Sequence, residues 1–285
     1  MHKLLSFEES LSHIHIDLAI PGHPSFSIAK LKELADLECS KLLKPEVKIQ
    51  DYLGNTILRH QIKKSLFCKE AEDHFIIRSN ISEIIKLISP IQELKLAEKA
   101  ITQEEIISYL KSHDEQEFCY YIDNIGLDLT NLNLKKIILI SSVELRYGTK
   151  GLNLAWAYIP YSNLYTKISD ELSYIGPSAS HLSEVYAIIA IRNDLLIKSI
   201  NQNIISKNFE SISSFLKKYS YLFEHKIFPL HNYCILEFKD KSLEKKLLNN
   251  SIILLRKNAN GIFIHYGQEN FISSLAALKN IIEEQ

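Results

Sequence analysis

Apolar residues at Ile28, Leu31, Leu34 and Leu37 recur at helical spacing, which predicts one surface helix over Ser27 to Leu43, ending before Pro45. A second helix is predicted over Thr56 to Phe67. The run His74 to Arg78 (HFIIR) has strand length. Asn80 with Glu83 three residues later is a helix-start signal opening ISEIIKLIS. A helix over Thr102 to Ser112 follows, then strands over Glu117 to Asp123, Lys136 to Ser142 and Leu152 to Ile159. Strands alternating with helices predict an α/β arrangement with a mainly parallel sheet. The last third reads differently. Helical stretches over Ser180 to Ser206 and Phe209 to Tyr221 precede strand-like Tyr233 to Phe238, Ile252 to Leu255 and Ile262 to Tyr266, and Phe271 to Ile282 closes the chain as a helix. The expected organisation is a large α/β domain with an N-terminal arm over residues 1–175 and a smaller α+β domain over 176–285.

Composition narrows the classes. With 285 residues, 46% hydrophobic and 24% charged, the chain resembles ordinary folded proteins. A net charge of −1 supplies no field to draw it onto nucleic acid or anionic lipid. Neither nucleic acid nor membrane is an expected partner. No stretch reaches membrane-spanning length, and acidic residues interrupt the N-terminal apolar run, so a cytoplasmic location is expected. Cys39, Cys68, Cys119 and Cys234 are widely spaced, which suits buried thiols in a reducing compartment rather than a zinc clip.

The segment Ser141 to Ala157 (SSVELRYGTKGLNLAWA) resembles the signature of class I/II, fold-type I aminotransferases, especially the histidinol-phosphate branch, roughly R-S-F-S-K-A-Y-G-L-A-G-L-R-L-G-Y-A. Tyr147, Gly148, Gly151 and Leu152 fix the register. Other segments resemble the family in the family's order. Ile16 to Pro24 is similar to its "IDLSxGxP" opening, Gly54 to Arg59 to its G-x-P-x-L-R helix start, and Arg78 to Ile85 to its T-N-G-A-S-E-A-I phosphate turn. Tyr121 to Gly126 lies where the family has "vvDEaY", and Asn232 to Ile282 resembles its last strand–helix–strand–helix unit. Between Ser89 and Ile101 the chain lacks the family stretch that includes the NPNNPTG loop, so it reads as a truncated member. The resemblance implies a fold-type I transferase fold: a three-layer domain with a mainly parallel sheet, and a smaller α+β domain.

The same register removes the residues on which the family's chemistry depends. A pyridoxal enzyme needs a lysine amine to form a Schiff base and move the substrate's Cα proton. Leu145 occupies that position. Lys150, or Lys135 and Lys136 at the start of the preceding strand, would have to substitute for it. Asn153 stands for the phosphate-binding arginine, Phe263 for the substrate-carboxylate arginine, and Gly126 for the tyrosine of "DEaY". Asn80 replaces a glycine of the phosphate turn, where Ser79, Ser82 and backbone N–H groups remain to receive an anion. Asp123 keeps the place of the aspartate that holds the pyridine nitrogen protonated, although a strand-end aspartate also caps or bridges. Ser142 matches the first serine of "SxSK". Tyr52 resembles the tyrosine that crosses to the partner's phosphate, with a shorter spacing to Gly54. The remnant cofactor set is therefore Asp123, Ser142, Ser82, Asn80, Asn153 and Tyr52.

Other features carry less. His13, His15 and His23 lack the acidic or cysteine companions of a metal site. Tyr158, Tyr161, Tyr165, Tyr174 and Tyr186 could line a pocket or fill an interface. Lys239, Lys241, Lys245 and Lys246 read as a solvated helix face.

Taken together, the residues imply a degenerate, non-catalytic structural or regulatory subunit. It would form a homodimer, or a heterodimer with a related subunit, and hold no covalent cofactor; non-covalent pyridoxal phosphate stays open at Asp123. One alternative is an enzyme of small-molecule biosynthesis that reuses the cleft through Asp123, Ser142, Tyr147 and His265. The other is an aminotransferase using a displaced lysine.

Overall fold

The computed structural model describes residues 16–18, 24, 26–42, 51–67, 73–89, 95–96, 107–108, 112, 119–122, 135, 137–149, 151–229, 232–249, 253–258 and 260–284. The chain divides into two units, Ser25–Ser199 and a second made of Met1–Pro24 with Ile200–Gln285. Strand β1 (Ile16–Asp17) belongs to the second unit.

The first unit opens with two short helices where the periodicity predicts one: α1 (Ile28–Glu33) and α2 (Leu37–Leu42). Asp36 causes the break. Its Oδ1 accepts the Cys39 N–H at 2.7 Å, so the chain restarts a helix there instead of continuing the old one. Helix α3 (Thr56–Leu66) is capped by Asn55, whose Oδ1 accepts from the backbone N–H groups of Ile57 and Leu58. Then come β2 (Phe75–Arg78), α4 (Ile81–Ile88), β3 (Lys95–Leu96), β4 (Cys119–Ile122), β5 (Ile137–Ser142), α5 (Val143–Tyr147) and β6 (Ala155–Tyr158). The helix expected over Thr102 to Ser112 falls largely outside the described residues.

These strands form one sheet in the order β2-β6-β5-β4-β3. β3, β4 and β5 pair in parallel, and β6 pairs antiparallel with both β5 and β2. Among the described strands β6 alone is reversed, so the sheet is mainly parallel. Alternation along each strand then sorts the side chains. Ile76, Ile138, Ile140, Ala155 and Ala157 share a core with Ile84, Leu87 and Ile88 of α4 and with Leu164, Ile168 and Leu172 of α6 (Ser162–Ile175). On the opposite face, Phe75 and Tyr158 meet the ring of Phe67, just past α3, at 5.0 Å. Helices therefore cover both faces, which is the three-layer arrangement.

Sequence periodicity missed α6, because its tyrosines drew the reading towards a ring cluster. Its apolar residues Leu164, Ile168 and Leu172 in fact form one buried stripe. Tyr158 and Tyr186 are buried while Tyr161 and Tyr174 are exposed, so the five tyrosines line no common pocket. Helix α7 (His181–Arg192) is buried on all sides from Glu184 to Ile191 and packs on α3. Helix α8 (Asp194–Lys218) follows after Asn193 and runs unbroken, whereas the expected break lay after Ser206. Asn193 ends α7 through bonds from its N–H and its side chain to the carbonyl of Ile189.

The second unit holds a four-stranded antiparallel sheet, β10-β11-β8-β7. Its elements are β7 (Phe223–Phe228), β8 (Tyr233–Phe238), α9 (Lys241–Leu248), β9 (Ile253–Leu254), β10 (Arg256–Asn258), β11 (Gly261–His265) and α10 (Phe271–Glu283). β1 pairs in parallel with β9. The core joins Leu236, Phe238, Ile262 and Ile264 to Phe215 and Tyr219 of α8 and to Leu275, Leu278 and Ile282 of α10. This is the α+β arrangement expected for the C-terminal part. β7 escaped prediction because an edge strand carries exposed Glu224, His225 and Lys226 at its centre. Lys239, Lys241, Lys245 and Lys246 are exposed around α9, as a solvated face should be. Cys39 and Cys234 are free, buried thiols. His13, His15, His23 and Cys68 lie outside the described residues. No described helix is long and apolar enough to cross a membrane.

Candidate functional site

The residues singled out by sequence gather along one edge of the first unit's sheet. Arg78 at the end of β2 pairs with Ala155, and Ala155 pairs with Ser142 at the end of β5. β4 ends on the same side, at Ile122 beside Ile140. The edge thus lies at the carboxyl ends of the parallel strands, where α/β folds place their ligands. Asp123, next after β4, lies outside the described residues, as do Gly126, Lys136 and Lys150.

At the end of β5 the chain turns sharply into α5. Ser142 has extended φ/ψ, and its Oγ accepts the backbone N–H of Leu145 at 3.0 Å, so this hydroxyl serves as a helix cap. Gly148, at φ 71°, ends the same helix by donating its N–H to the Glu144 carbonyl. Leu145 is half-buried within that single turn. Beyond it the path stays tight: Asn153 adopts φ 46°, a left-handed conformation that asparagine tolerates, and is exposed. Thr149 is buried, and its Oγ1 has no hydrogen-bond partner among the described residues.

Arg146 and Tyr147, the two residues that follow the site position Leu145, are committed to Asp194. Arg146 Nε donates to Asp194 Oδ1 at 3.0 Å, the Tyr147 hydroxyl donates to the same oxygen at 2.9 Å, and Lys198 meets Oδ2 at 3.1 Å. Burial raises the Asp194 carboxyl, but Arg146, Lys198 and Tyr147 outweigh it and hold the group below the usual range. Tyr147 is fully buried, and its phenol is pushed well above its ordinary value, chiefly by desolvation. It is a neutral donor in a structural bond. No sequence signal pointed to Asp194, since it lies 48 residues from Arg146.

At the end of β2 the expected helix start is half realised. Asn80 Oδ1 accepts the Glu83 N–H at 2.9 Å, but the Glu83 side chain does not return to Asn80 as a capping box requires. It turns to Arg78, which is only 1% exposed: Arg78 Nε donates to Glu83 Oε1 at 2.7 Å, with a second bond from Nη2. Ser79 Oγ donates to Glu83 Oε2 at 2.7 Å, and Ser178 also bonds the carboxylate. Burial raises the Glu83 carboxyl, but the bonds from Ser79, Arg78 and Ser178 outweigh that and hold it low. Ser82 and Asn80 are exposed.

The loop before α3 completes the arrangement. Arg78 Nη1 reaches the carbonyls of Gly176 at 2.7 Å and Tyr52 at 3.4 Å, tying this loop to the β2 end. The half-buried Tyr52 packs against the sheet core. Arg59 bonds Asp51 at 2.8 Å and the Gly54 carbonyl at 3.2 Å. Glu184, 2% exposed, accepts the Asn55 N–H at 2.8 Å, and its carboxyl is pushed up to about 7, mainly by desolvation. His74 stacks on Tyr165 at 4.3 Å. The structure therefore brings Tyr52, Asn80, Ser82 and Ser142 to one sheet edge. Phe263 and His265 belong to the other unit.

No protein-family model matches the sequence, and no curated protein does. Solved structures do match. The pyridoxal-phosphate-dependent cyclase OrfR gives a TM-score of 0.74 at 12% identity over 100% of this chain and 98% of that one. An aminotransferase from Streptococcus suis gives 0.72 at 12% identity over 99% of each chain. MJ0684 of Methanococcus jannaschii, described as similar in its active site to kynurenine aminotransferases, gives 0.71 at 16% identity over 97% of this chain and 93% of that one. Identities this low speak for architecture alone. With its reversed strand, three layers and α+β unit, this chain has the fold of the fold-type I, pyridoxal-phosphate-dependent aminotransferases.

Proposed function

We propose that this protein carries the aminotransferase fold without its reaction and acts as a non-catalytic structural or regulatory subunit. The observation that carries the reading is Leu145: the residue in the Schiff-base register has no amine, and its neighbours Ser142 and Tyr147 already have structural partners. Ser142 caps the Leu145 N–H and Tyr147 is locked to Asp194. Leucine can neither condense with an aldehyde nor shuttle a proton.

The described residues do not fit pyridoxal phosphate, the cofactor this fold implies. At the β2–α4 turn Arg78 and the Ser79 hydroxyl are engaged by Glu83, and Asn153 offers no guanidinium to an anion. No reaction step is therefore assigned through the cofactor. The reading that the cleft runs a different reaction loses support for the same reason, since two of its four polar groups, Ser142 and Tyr147, already have structural partners. In the proposed role the chain pairs with itself or with a related subunit, because the parent fold builds its sites across a two-fold interface. The buried free thiols Cys39 and Cys234 suit the reducing cytoplasm.

The test is direct. Purified protein mixed with pyridoxal phosphate is expected to show no internal-aldimine absorbance. After borohydride treatment, peptide mass spectrometry should find no cofactor adduct above the level of random surface lysines. A stoichiometric adduct on one residue, Lys150 in particular, would overturn the proposal.

A further inference from the structure

The edge of a β-sheet leaves the N–H and C=O of every second residue unpaired, and such a row recruits another strand unless something blocks it. In the second unit β7 is an edge, and its central residues Glu224, His225 and Lys226 are all exposed. It is the longest exposed edge among the described strands: β10 has three residues, β1, β3 and β9 have two each, and β2 is buried throughout.

The ladder shows which backbone groups turn outwards. Lys239 donates its N–H to the Leu222 carbonyl at 3.0 Å, which makes these two a hydrogen-bonded pair. Such pairs alternate along an antiparallel ladder, so Glu224, Lys226 and Phe228 turn their backbone groups to β8. Phe223, His225 and Ile227 turn theirs outwards. β8 agrees, because the Tyr266 N–H bonds the Asn232 carbonyl and so commits the even-numbered residues of β8 to β11.

We propose that β7 is a self-pairing edge, along which two copies of this chain join antiparallel about a two-fold axis at His225. Two four-stranded sheets thereby become one continuous sheet.

Charge selects both the partner and the register. Outward-turned residues must meet outward-turned residues, so the two strands shift against each other only in steps of two. With His225 opposite its own copy, Glu224 lies opposite Lys226 of the second copy, and Lys226 opposite Glu224. One step either way sets Glu224 against Glu224 or Lys226 against Lys226, and like charges directly opposite destabilise a ladder. The centred register also sets Phe223 against Ile227 of the second copy and Leu222 against Phe228, and its three hydrogen-bonded pairs supply about six backbone bonds. Within one chain Glu224 already lies opposite Glu237 of β8, and neither carboxylate makes an ion pair with a described residue. Lys226 of the second copy brings a cation to that pair. The run Glu-His-Lys thus complements itself when reversed, which an unrelated strand has no reason to do.

The test uses the full chain carrying His225→Cys under mild oxidation. Opposed residues of a hydrogen-bonded pair lie about 5.5 Å apart at Cα, within disulfide reach. A dimer linked through position 225 in both copies, located by peptide mass spectrometry, is the expected result. Adding Glu224→Lys or Lys226→Glu should slow that link at least about tenfold, and adding both should restore it. No link at about 100 µM protein would overturn the proposal, since even weak interfaces form at that concentration. So would a link indifferent to either reversal, or one that the double exchange fails to restore. Glu224→Lys also removes the carboxylate opposite Glu237, so lost pairing in that variant does not reflect a weakened fold. Should His225→Cys not fold, sedimentation equilibrium at pH 8, where imidazole is neutral, reads the same charge pattern as at least a tenfold loss and recovery of affinity. The inference stands apart from the functional reading: a cofactor trapped on a lysine would sink that reading and leave the β7 pairing to its own experiment.

Discussion

Glu184, deep in helix α7, accepts the backbone N–H of Asn55 at 2.8 Å across 129 residues of sequence. The bond anchors the loop that carries Tyr52 and starts α3. It also places a carboxylate where water hardly reaches.

That burial sets a pH dependence. The Glu184 carboxyl is raised from its ordinary 4.5 to about 7, first by desolvation and further by Asp51, against the opposing Asn55 N–H and Arg59. Between these values the folded protein holds a proton that the unfolded chain releases, so stability falls as pH rises through the window and levels off above about 7. Urea unfolding from pH 5 to 8 should show this slope. Glu184→Gln should flatten it and raise stability at the alkaline end by roughly 1–3 kcal/mol. An unchanged slope in the variant would assign the effect elsewhere.

Asp194 holds two buried groups at once, and its loss should be costly. Asp194→Ala leaves the Arg146 guanidinium, itself 3% exposed, without its carboxylate, and about 3–5 kcal/mol of stability should disappear. Tyr147→Phe removes one neutral donor and should cost only about 1 kcal/mol. Equal losses from the two changes, measured by chemical denaturation, would contradict the assignment of Arg146 as the dependent group. Because the Asp194 carboxyl is held low, its contribution is present above the ordinary 3.8 and fades as pH falls through the depressed value.

Gly54 should not tolerate a side chain. Its φ is +94°, and a Cβ there would lie 2.3 Å from Cβ of Ile77 in the buried strand β2. Gly54→Ala combines backbone strain with overpacking, together about 2–5 kcal/mol. A melting temperature within a degree or so of wild type would refute this.

In the second unit, Asn208 Nδ2 bonds the carbonyls of Tyr266 at 2.8 Å and Gln268 at 2.7 Å from a fully buried position on α8. Asn208→Ala removes a buried donor that both carbonyls share and should cost about 1–3 kcal/mol. Hydrogen exchange should show faster opening at the start of α10, where Phe271 donates its backbone N–H to Gln268.

The sequence by itself determined most of the local elements and the identity of the residue, Leu145, at the position the resemblance gives to the lysine. Strands such as Phe75–Arg78 and Ile137–Ser142 were legible because a buried strand is a short apolar run, and the α4 start was legible because asparagine caps through its own side chain. Leu145 needs no structure to be seen as a residue without an amine. Elements whose signal is compensated elsewhere were missed: the charged edge strand β7, the tyrosine-rich α6, and the break that Asp36 imposes between α1 and α2. Only the tertiary structure decided where the buried charges go. Arg78 with Glu83 is a local pair, but its ties to Tyr52 and Gly176 come from 26 and 98 residues away. Arg146 with Asp194 and Asn55 with Glu184 are likewise distant in sequence. A charge is buried only where a partner is brought to it, and that juxtaposition depends on the packing of whole elements, which no local pattern of residues encodes.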